Sequence, residues 1–315
     1  MPALPITFNR HLKQRLWGGR KLLTHYNIAL PDASLYGESW EISDRHGDDE
    51  QSTVTSAGDF HGKTLNQLWN EHRAQVFGES YLEHPSKRLP LLIKILDAQQ
   101  DLSIQVHPPK EVAKELNGEP KTEMWYIAHA EPGAKLYVGF KEHITPEDFQ
   151  KAILEGSVSE HVHALTPKVG ESILLESGRL HAIGAGLVIH EIQQNSDTTY
   201  RVFDWNRIDT DGKTRELHIK QAIKSIDFSD ISPAMDTPKG DVICSCDYFQ
   251  VAKKTLEQGQ TITPNDSDKF AIYTVVQGSL KLGSSIYPMG QTILMPPNSL
   301  SLTAMDNSVV LITTI

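Results

Sequence analysis

Two short segments, Gln105-Val106-His107 and Ser177-Gly178-Arg179-Leu180-His181, hold side chains whose types and spacing suit metal chemistry. In an extended strand the side chains at i and i+2 share one face, so Gln105 and His107 address the same space. Between the two segments lies Lys121-Thr122-Glu123. Glu123 and His181 complete a set of two imidazoles, a carboxylate and an amide. Such borderline ligands suit zinc without excluding iron, manganese or cobalt. Catalysis needs an open coordination position, so with four protein ligands a fifth, water-filled one must be available. The alternatives are plain. Gln105 could be an ordinary strand residue bonded to a neighbour, and most of the 14 histidines are read as satisfied surface or core residues. His161-Val162-His163 is the competing metal pattern. It precedes Gly170 too closely to be followed by the carboxylate strand and turn that such a site requires.

Basic residues gather near this frame: Lys94 before the ligand strand, Lys121 beside Glu123, and Arg201 and Arg207 after the histidine strand. Scattered cations usually form a solvated surface. Lys94 is different, because Leu91-Leu92-Ile93-Lys94-Ile95-Leu96 reads as a buried strand, where a charge needs a partner. The formal net charge of −10 gives no whole-molecule attraction for nucleic acid or an anionic membrane. An anionic substrate would have to be met by particular lysines and arginines.

The elements that must position these residues are mostly strands. Stretches at Pro90–Leu96, Leu102–His107, Met124–Ala128, Lys135–Phe140, Ser172–Leu175, Leu187–Gln193, Phe270–Val276 and Val309–Thr313 are short, apolar and closed by Gly or Pro. Helices are expected at Thr64–Phe77, Pro109–Leu116, Pro146–Leu154 and Leu217–Ile226, as decorations on a β core. With 315 residues the chain has ample core for one large or two ordinary domains. Cys244 and Cys246 are its only cysteines, and with no second pair for a zinc knuckle they fit a reduced, cytoplasmic setting. No early apolar segment suggests secretion, and no window is long and apolar enough to span a membrane.

A repeat emerges when turn residues are aligned. Gly170-x5-Glu176-x-Gly178-x2-His181 fits the second motif of the cupin barrel, with Glu176 in place of the usual proline. Gly290-x5-Pro296-x-Asn298-x2-Ser301 fits the same frame, with Ser301 at the histidine position. No histidine follows His218, so a second barrel has none to offer a metal. The expected fold is mainly β: two cupin-like jelly-roll barrels with a few peripheral helices. Residues 1–230 would form the metal-binding catalytic domain and residues 231–315 a metal-free jelly roll. The boundary is placed at Asp230-Ile231-Ser232-Pro233, whose composition marks a loop.

Five stretches together resemble type I mannose-6-phosphate isomerases, the short bacterial form above all. They are Ser39-Trp40-Glu41, the run Leu102 to Pro108, Lys121-Thr122-Glu123-Met124-Trp125-Tyr126, His181-Ala182-Ile183-Gly184, and the run Glu191 to Arg201. The resemblance runs from about Trp17 to Arg207, and the last third agrees in pattern only. It implies a zinc-dependent aldose–ketose isomerase, one ion per chain, interconverting mannose 6-phosphate and fructose 6-phosphate through a metal-stabilised enediol. The family's metal ligands fall on Gln105, His107, Glu123 and His181, and its active-site arginine on Arg201. Its pocket positions match Lys94, Ser103, Lys121 and Glu191, with Lys94 and Ser103 assigned to the phosphate. Arg207 stands where longer relatives carry lysine and is taken as substrate-binding. The helical insertion of the longer forms is missing here.

Moving a carbonyl between C1 and C2 requires abstraction of a carbon-bound proton and stabilisation of the resulting enediolate. Glu191 and Lys121 are the candidate bases, Lys121 only if its proton affinity is lowered by burial or nearby positive charge. Arg201 stays protonated and suits charge stabilisation. Two other classes remain open: a non-catalytic sugar-phosphate-binding cupin and an iron-dependent cupin oxygenase. The phosphorylated hexose is the expected partner, with neither nucleic acid nor membrane; oligomeric state is not legible.

Overall fold

The computed structural model describes residues 3–45, 51–208, 212–264 and 268–315. Two β-sandwiches account for most of the strands. In the first, a six-stranded sheet runs in the order Ser172–Leu175, Glu123–Ala130, Leu187–Gln194, Leu91–Ala98, Tyr36–Ile42 and His11–Gly19. It faces a five-stranded sheet ordered Val162–Leu165, Leu136–Phe140, His181–Ile183, Ile104–Val106 and Tyr200–Phe203. Paired neighbours in both sheets are antiparallel. This is the jelly-roll arrangement that the turn spacing predicts.

The period-2 alternation of a strand decides which side chains reach the interior. In Leu91–Ala98 every residue is buried because both faces are covered. Leu96 and Ala98 enter the core between the two sheets, and Lys94 faces the same side. Leu91, Ile93 and Ile95 pack outward against other cores. The neighbouring strands obey the same parity. Leu187 and Ile189 point inward with Glu191, and Trp125 and Ile127 share the inner face with Glu123.

Outside the five-stranded sheet, Ile104, Val106, Phe140, Ala182 and Val202 pack on helices Pro146–Glu155 and Ile219–Ser225. The first of these begins where expected: Pro146 occupies the first turn, the Thr145 hydroxyl accepts from Asp148 N, and Gly156 closes the helix in the left-handed conformation. Thr64 makes a capping box with Gln67, but the helix expected over Thr64–Phe77 is two, Leu65–Glu71 and Arg73–Phe77. The break is at His72, whose φ of −126° and ψ of 26° leave the helical region. Among the described residues no helix is long and apolar enough to cross a membrane.

The second sandwich pairs a five-stranded sheet, in the order Val242–Ser245, Gln250–Leu256, Ser308–Thr314, Ala271–Gln277 and Thr292–Met295, with a four-stranded one. Its interior is filled by apolar side chains including Tyr273, Leu280, Ile293, Met295 and Leu302. Ser301 bonds the Thr263 hydroxyl at 2.7 Å. One apolar core joins the two sandwiches, with Ile93, Phe77 and Ile192 meeting Val251, Phe270 and Leu294. At the N-terminus Ile6 exchanges backbone hydrogen bonds with Leu294. The stretch around Asp230 stays on the first sandwich: Phe140 N donates to Asp230 O and Asp236 N to Ser172 O, and the second sandwich's strands begin at Val242.

Candidate metal centre and active-site cavity

Three adjacent strands of the five-stranded sheet place Arg201, Gln105 and His181 in one row, because Gln105 is the register partner of both. All three side chains therefore project from one face. From the opposite sheet, Glu123 begins its strand with its carboxylate directed at the same point. His107 Nε2 lies 3.6 Å from Glu123 Oε2, and His181 Nε2 lies 3.5 Å from Glu123 Oε1. One donor atom from each of His107, Glu123 and His181 falls within 4.8 Å of the others. All three residues are buried.

The imidazole tautomers follow from the hydrogen bonds. His107 Nδ1 is 2.8 Å from Thr198 O and His181 Nδ1 is 2.8 Å from Arg179 O. A carbonyl oxygen only accepts, so each Nδ1 carries the proton and each Nε2 offers a lone pair toward Glu123. His107 Nε2 and Glu123 Oε1 are buried with no hydrogen-bond partner among the described residues, and Glu123 Oε2 faces only the Lys121 ammonium. Unpaired buried acceptors cost free energy unless something binds them. A divalent cation satisfies all of them, and the donor set fits one. Gln105 Nε2 lies 3.5 Å from His181 Nε2 while Oε1 faces Ser103 Oγ at 3.4 Å. Exchanging the amide's O and N would point its oxygen to the centre as a fourth ligand and let its NH2 donate to Ser103 Oγ.

Electrostatics favours a cation here. Burial first, and then the Lys121 ammonium, push His107 down to about 4, and burial also lowers His181. Both imidazoles are neutral and ready to ligate. Burial alone would raise Glu123, but the Lys121 ammonium holds it well below the carboxylate range. Burial opposes the charge on Lys121, yet Glu123 and Glu191 outweigh it and raise the ammonium above its ordinary value. A dication on Glu123 would pull Lys121 the other way.

A cavity of about 460 Å³ opens beside this centre, bordered by Gln105, Lys121, Glu191, Lys94, Ser103 and Arg201. Lys94 finds the partner that its buried strand demanded: its Nζ is 3.2 Å from Glu191 Oε1 and 5.1 Å from the Trp40 ring centroid. Glu191 Oε1 is also 3.8 Å from Lys121 Nζ, and Trp125 Nε1 donates to Oε2 at 3.1 Å. Lys121 Nζ sits 2.8 Å from Glu123 Oε2. Charges thus alternate from Lys94 through Glu191 and Lys121 to Glu123.

Arg207 is not brought into this cavity. Its guanidinium is tied to Asp204 Oδ1 at 3.0 Å and to Asp101 O at 2.6 Å, beside a separate hollow near Gln100 and Trp205. The pair His161 and His163 stays apart from the metal centre, the first ending a helix and the second on the outer strand of the five-stranded sheet. Cys244 and Cys246 are free thiols on Val242–Ser245 and just beyond it. Sequence reasoning missed Arg15, Glu38 and Arg215, which also border the cavity. Glu38 was within reach, since it sits two residues before Trp40 and shares its face. Arg15 Nε binds Glu38 Oε1 at 2.6 Å and Trp40 Nε1 binds Oε2 at 2.5 Å. Burial would raise Glu38, but Lys94 and Arg15 hold it at about 2.

Residues 6–122 match the family model described as phosphomannose isomerase type I, catalytic domain. Over 310 residues the chain is 36% identical to mannose-6-phosphate isomerase ManA of Bacillus subtilis strain 168, with 94% of each chain covered. Over 307 residues it is 33% identical to mannose-6-phosphate isomerase of Streptococcus mutans serotype c, with 93% of each covered. The crystal structure of mannose 6-phosphate isomerase from Bacillus subtilis matches with a TM-score of 0.85 at 29% identity, covering 99% of this chain and 100% of that one. Neither a non-catalytic sugar-phosphate binder nor an iron-dependent oxygenase is favoured by these relatives.

Proposed function

The chain belongs to the type I phosphomannose isomerase family, and from that premise we propose that it interconverts mannose 6-phosphate and fructose 6-phosphate with one zinc ion per chain. The observation that supports the metal reading most is the pair of buried, unpartnered acceptors His107 Nε2 and Glu123 Oε1, converging with His181 beside a cationic cavity. Gln105 is the proposed fourth ligand. Zinc is preferred because the reaction needs no redox change and the ligands are borderline in softness.

When bound, the ion supplies Lewis-acid stabilisation of negative charge on the sugar oxygens. The chain's own residues supply the proton transfers. Glu191 is the proposed base: its carboxylate takes the proton from C2 of the open-chain aldose, and the C–H electron pair becomes the C1–C2 double bond. The carbonyl electrons move to O1, which takes a proton from the Lys121 ammonium. Return of the Glu191 proton to C1, with loss of the O2 proton to Lys121, gives the ketose. Lys121 serves here as an acid first rather than as the first base, because it enters as the ammonium that faces both Glu123 and Glu191. Arg201 lies across the strand from Gln105 and stabilises developing charge. Lys94 and Ser103 are the proposed phosphate ligands.

A coupled assay for fructose 6-phosphate formation from mannose 6-phosphate, run with and without chelator, tests the reading. Activity that is lost on chelation and restored by zinc is expected. Binding of the sugar phosphate without turnover by the metal-loaded protein would refute it.

A further inference from the structure

Lys94 alone is a poor receptor for a phosphate dianion, because its ammonium already faces Glu191 at 3.2 Å. The cavity wall offers further cations, and their commitments differ. Arg15 is held by Glu38 at 2.6 Å. Arg207 spends its guanidinium on Asp204, the Asp101 carbonyl and Gln100 outside the cavity. Arg215 lines the cavity, is 31% exposed, and has among the described residues a single ion pair, Nη1 to Asp204 Oδ1 at 3.5 Å. Its other N–H donors have no partner among the described residues.

The local charge balance also points outward. Among the described residues, the carboxylates facing Arg201, Arg207 and Arg215 are the buried Asp204, the exposed Glu216 and, for Arg215, Glu38, which Arg15 already holds. Arg207 and Arg215 converge on the same Asp204 oxygen. Among the described residues Arg201 has no carboxylate within ion-pair reach and its buried Nε has no partner, while Nη1 donates to Glu216 O at 3.0 Å. Burial first, and the like charge of Arg215 next, lower the proton affinity of Arg201. Crowded like charges at a cavity wall are unfavourable until an anion joins them, and a guanidinium fork matches phosphate oxygens two at a time.

We propose that Arg215, on the loop after the Arg201 strand, joins Lys94 and Ser103 in receiving the substrate's phosphate, in the place that the sequence suggests for Arg207. This rests on the sugar-phosphate reading above. Arg215 is a binding residue that sets the preference for phosphorylated over free sugar and leaves the chemistry at C1 and C2 alone.

The test compares wild type, Arg215→Gln, Arg215→Lys and Arg207→Gln, all metal-loaded, with far-ultraviolet circular dichroism confirming the fold. Arg215→Gln should raise KM for mannose 6-phosphate about 10- to 100-fold, the loss expected for one charged hydrogen-bonding partner, with kcat changed less than about threefold. Calorimetric affinity for inorganic phosphate should fall by a similar factor. Arg215→Lys, which keeps the charge and loses the fork, should fall between, and Arg207→Gln should shift KM less than Arg215→Gln. If Arg215→Gln does not fold, the Lys variant decides, by a smaller rise in KM and a matching fall in phosphate affinity. Unchanged KM and phosphate affinity, or a loss confined to kcat, would overturn the proposal. Absence of turnover in wild type would defeat the isomerase reading instead, while phosphate calorimetry would still decide the role of Arg215.

Discussion

Replacing Lys121 with Met should tighten metal binding while it slows turnover, a combination that separates the proposed role from a purely structural one. The ammonium lies 2.8 Å from Glu123 Oε2 and 3.8 Å from Glu191 Oε1. At an effective dielectric constant of about 20, those contacts are worth roughly 6 and 4 kcal/mol of Coulomb attraction. Desolvation of the buried groups offsets much of this, so breaking the pair in metal-free protein should cost about 3–5 kcal/mol. A dication at His107, Glu123 and His181 would compensate Glu123 in the ammonium's place and would be repelled by Lys121. By linkage, the metal then recovers most of the stability that the variant loses. Affinity for zinc should rise at least about tenfold, equivalent to roughly 1.4 kcal/mol. If Lys121 also donates the proton to O1, kcat should fall by about 10²–10⁴. Competition with a chromophoric chelator gives the affinity, urea melts with and without chelator give the stability, and the coupled assay gives kcat. Weaker metal binding together with near-normal kcat would refute this account of the charge chain.

Arg201→Lys should retain stoichiometric metal yet lose most turnover, because an ammonium is a point charge where a planar fork is needed; wild-type kcat would count against Arg201. His190 is fully buried, its Nε2 is 2.9 Å from Tyr26 Oη, and burial pushes it down to about 3. The unfolded chain, with an ordinary value near 6.5, therefore takes up that proton first as pH falls, so stability is full above about 6.5 and is lost toward 3. Urea melts should show wild type losing about 2 kcal/mol more than His190→Leu between pH 6.5 and 5, and parallel curves would refute it. Ser301→Ala should leave metal content and kcat unchanged. Truncation near residue 232 should instead expose Ile93, Phe77 and Ile192 and cause aggregation; a soluble, active truncated protein would show that the second sandwich is dispensable.

Period-2 strands made much of the site legible. Lys94 stands out in the sequence as a charge inside an apolar strand, and its partner Glu191 lies directly opposite on the neighbouring strand. Gln105 and His181, chosen from the sequence as parts of one metal site, are register partners on adjacent strands. What the sequence hid depends on tertiary placement. Arg215 lies in a stretch with no apolar period, so nothing local directs it to the cavity, whereas Arg207 looks equivalent until Asp101 and Asp204 are seen to hold it aside. Asp230 has loop composition, but it forms two hydrogen bonds with Arg179, at 2.9 and 3.0 Å, and so stays packed beside the turn that carries His181.

The most direct test of the central claim is the metal content of wild type and His181→Ala after purification without added metal, read beside activity. Wild type should carry one divalent ion per chain, most of it zinc, and His181→Ala should lose both metal and turnover while keeping its circular dichroism spectrum. Full metal occupancy in His181→Ala, or full isomerase activity in metal-stripped wild type, would contradict the account.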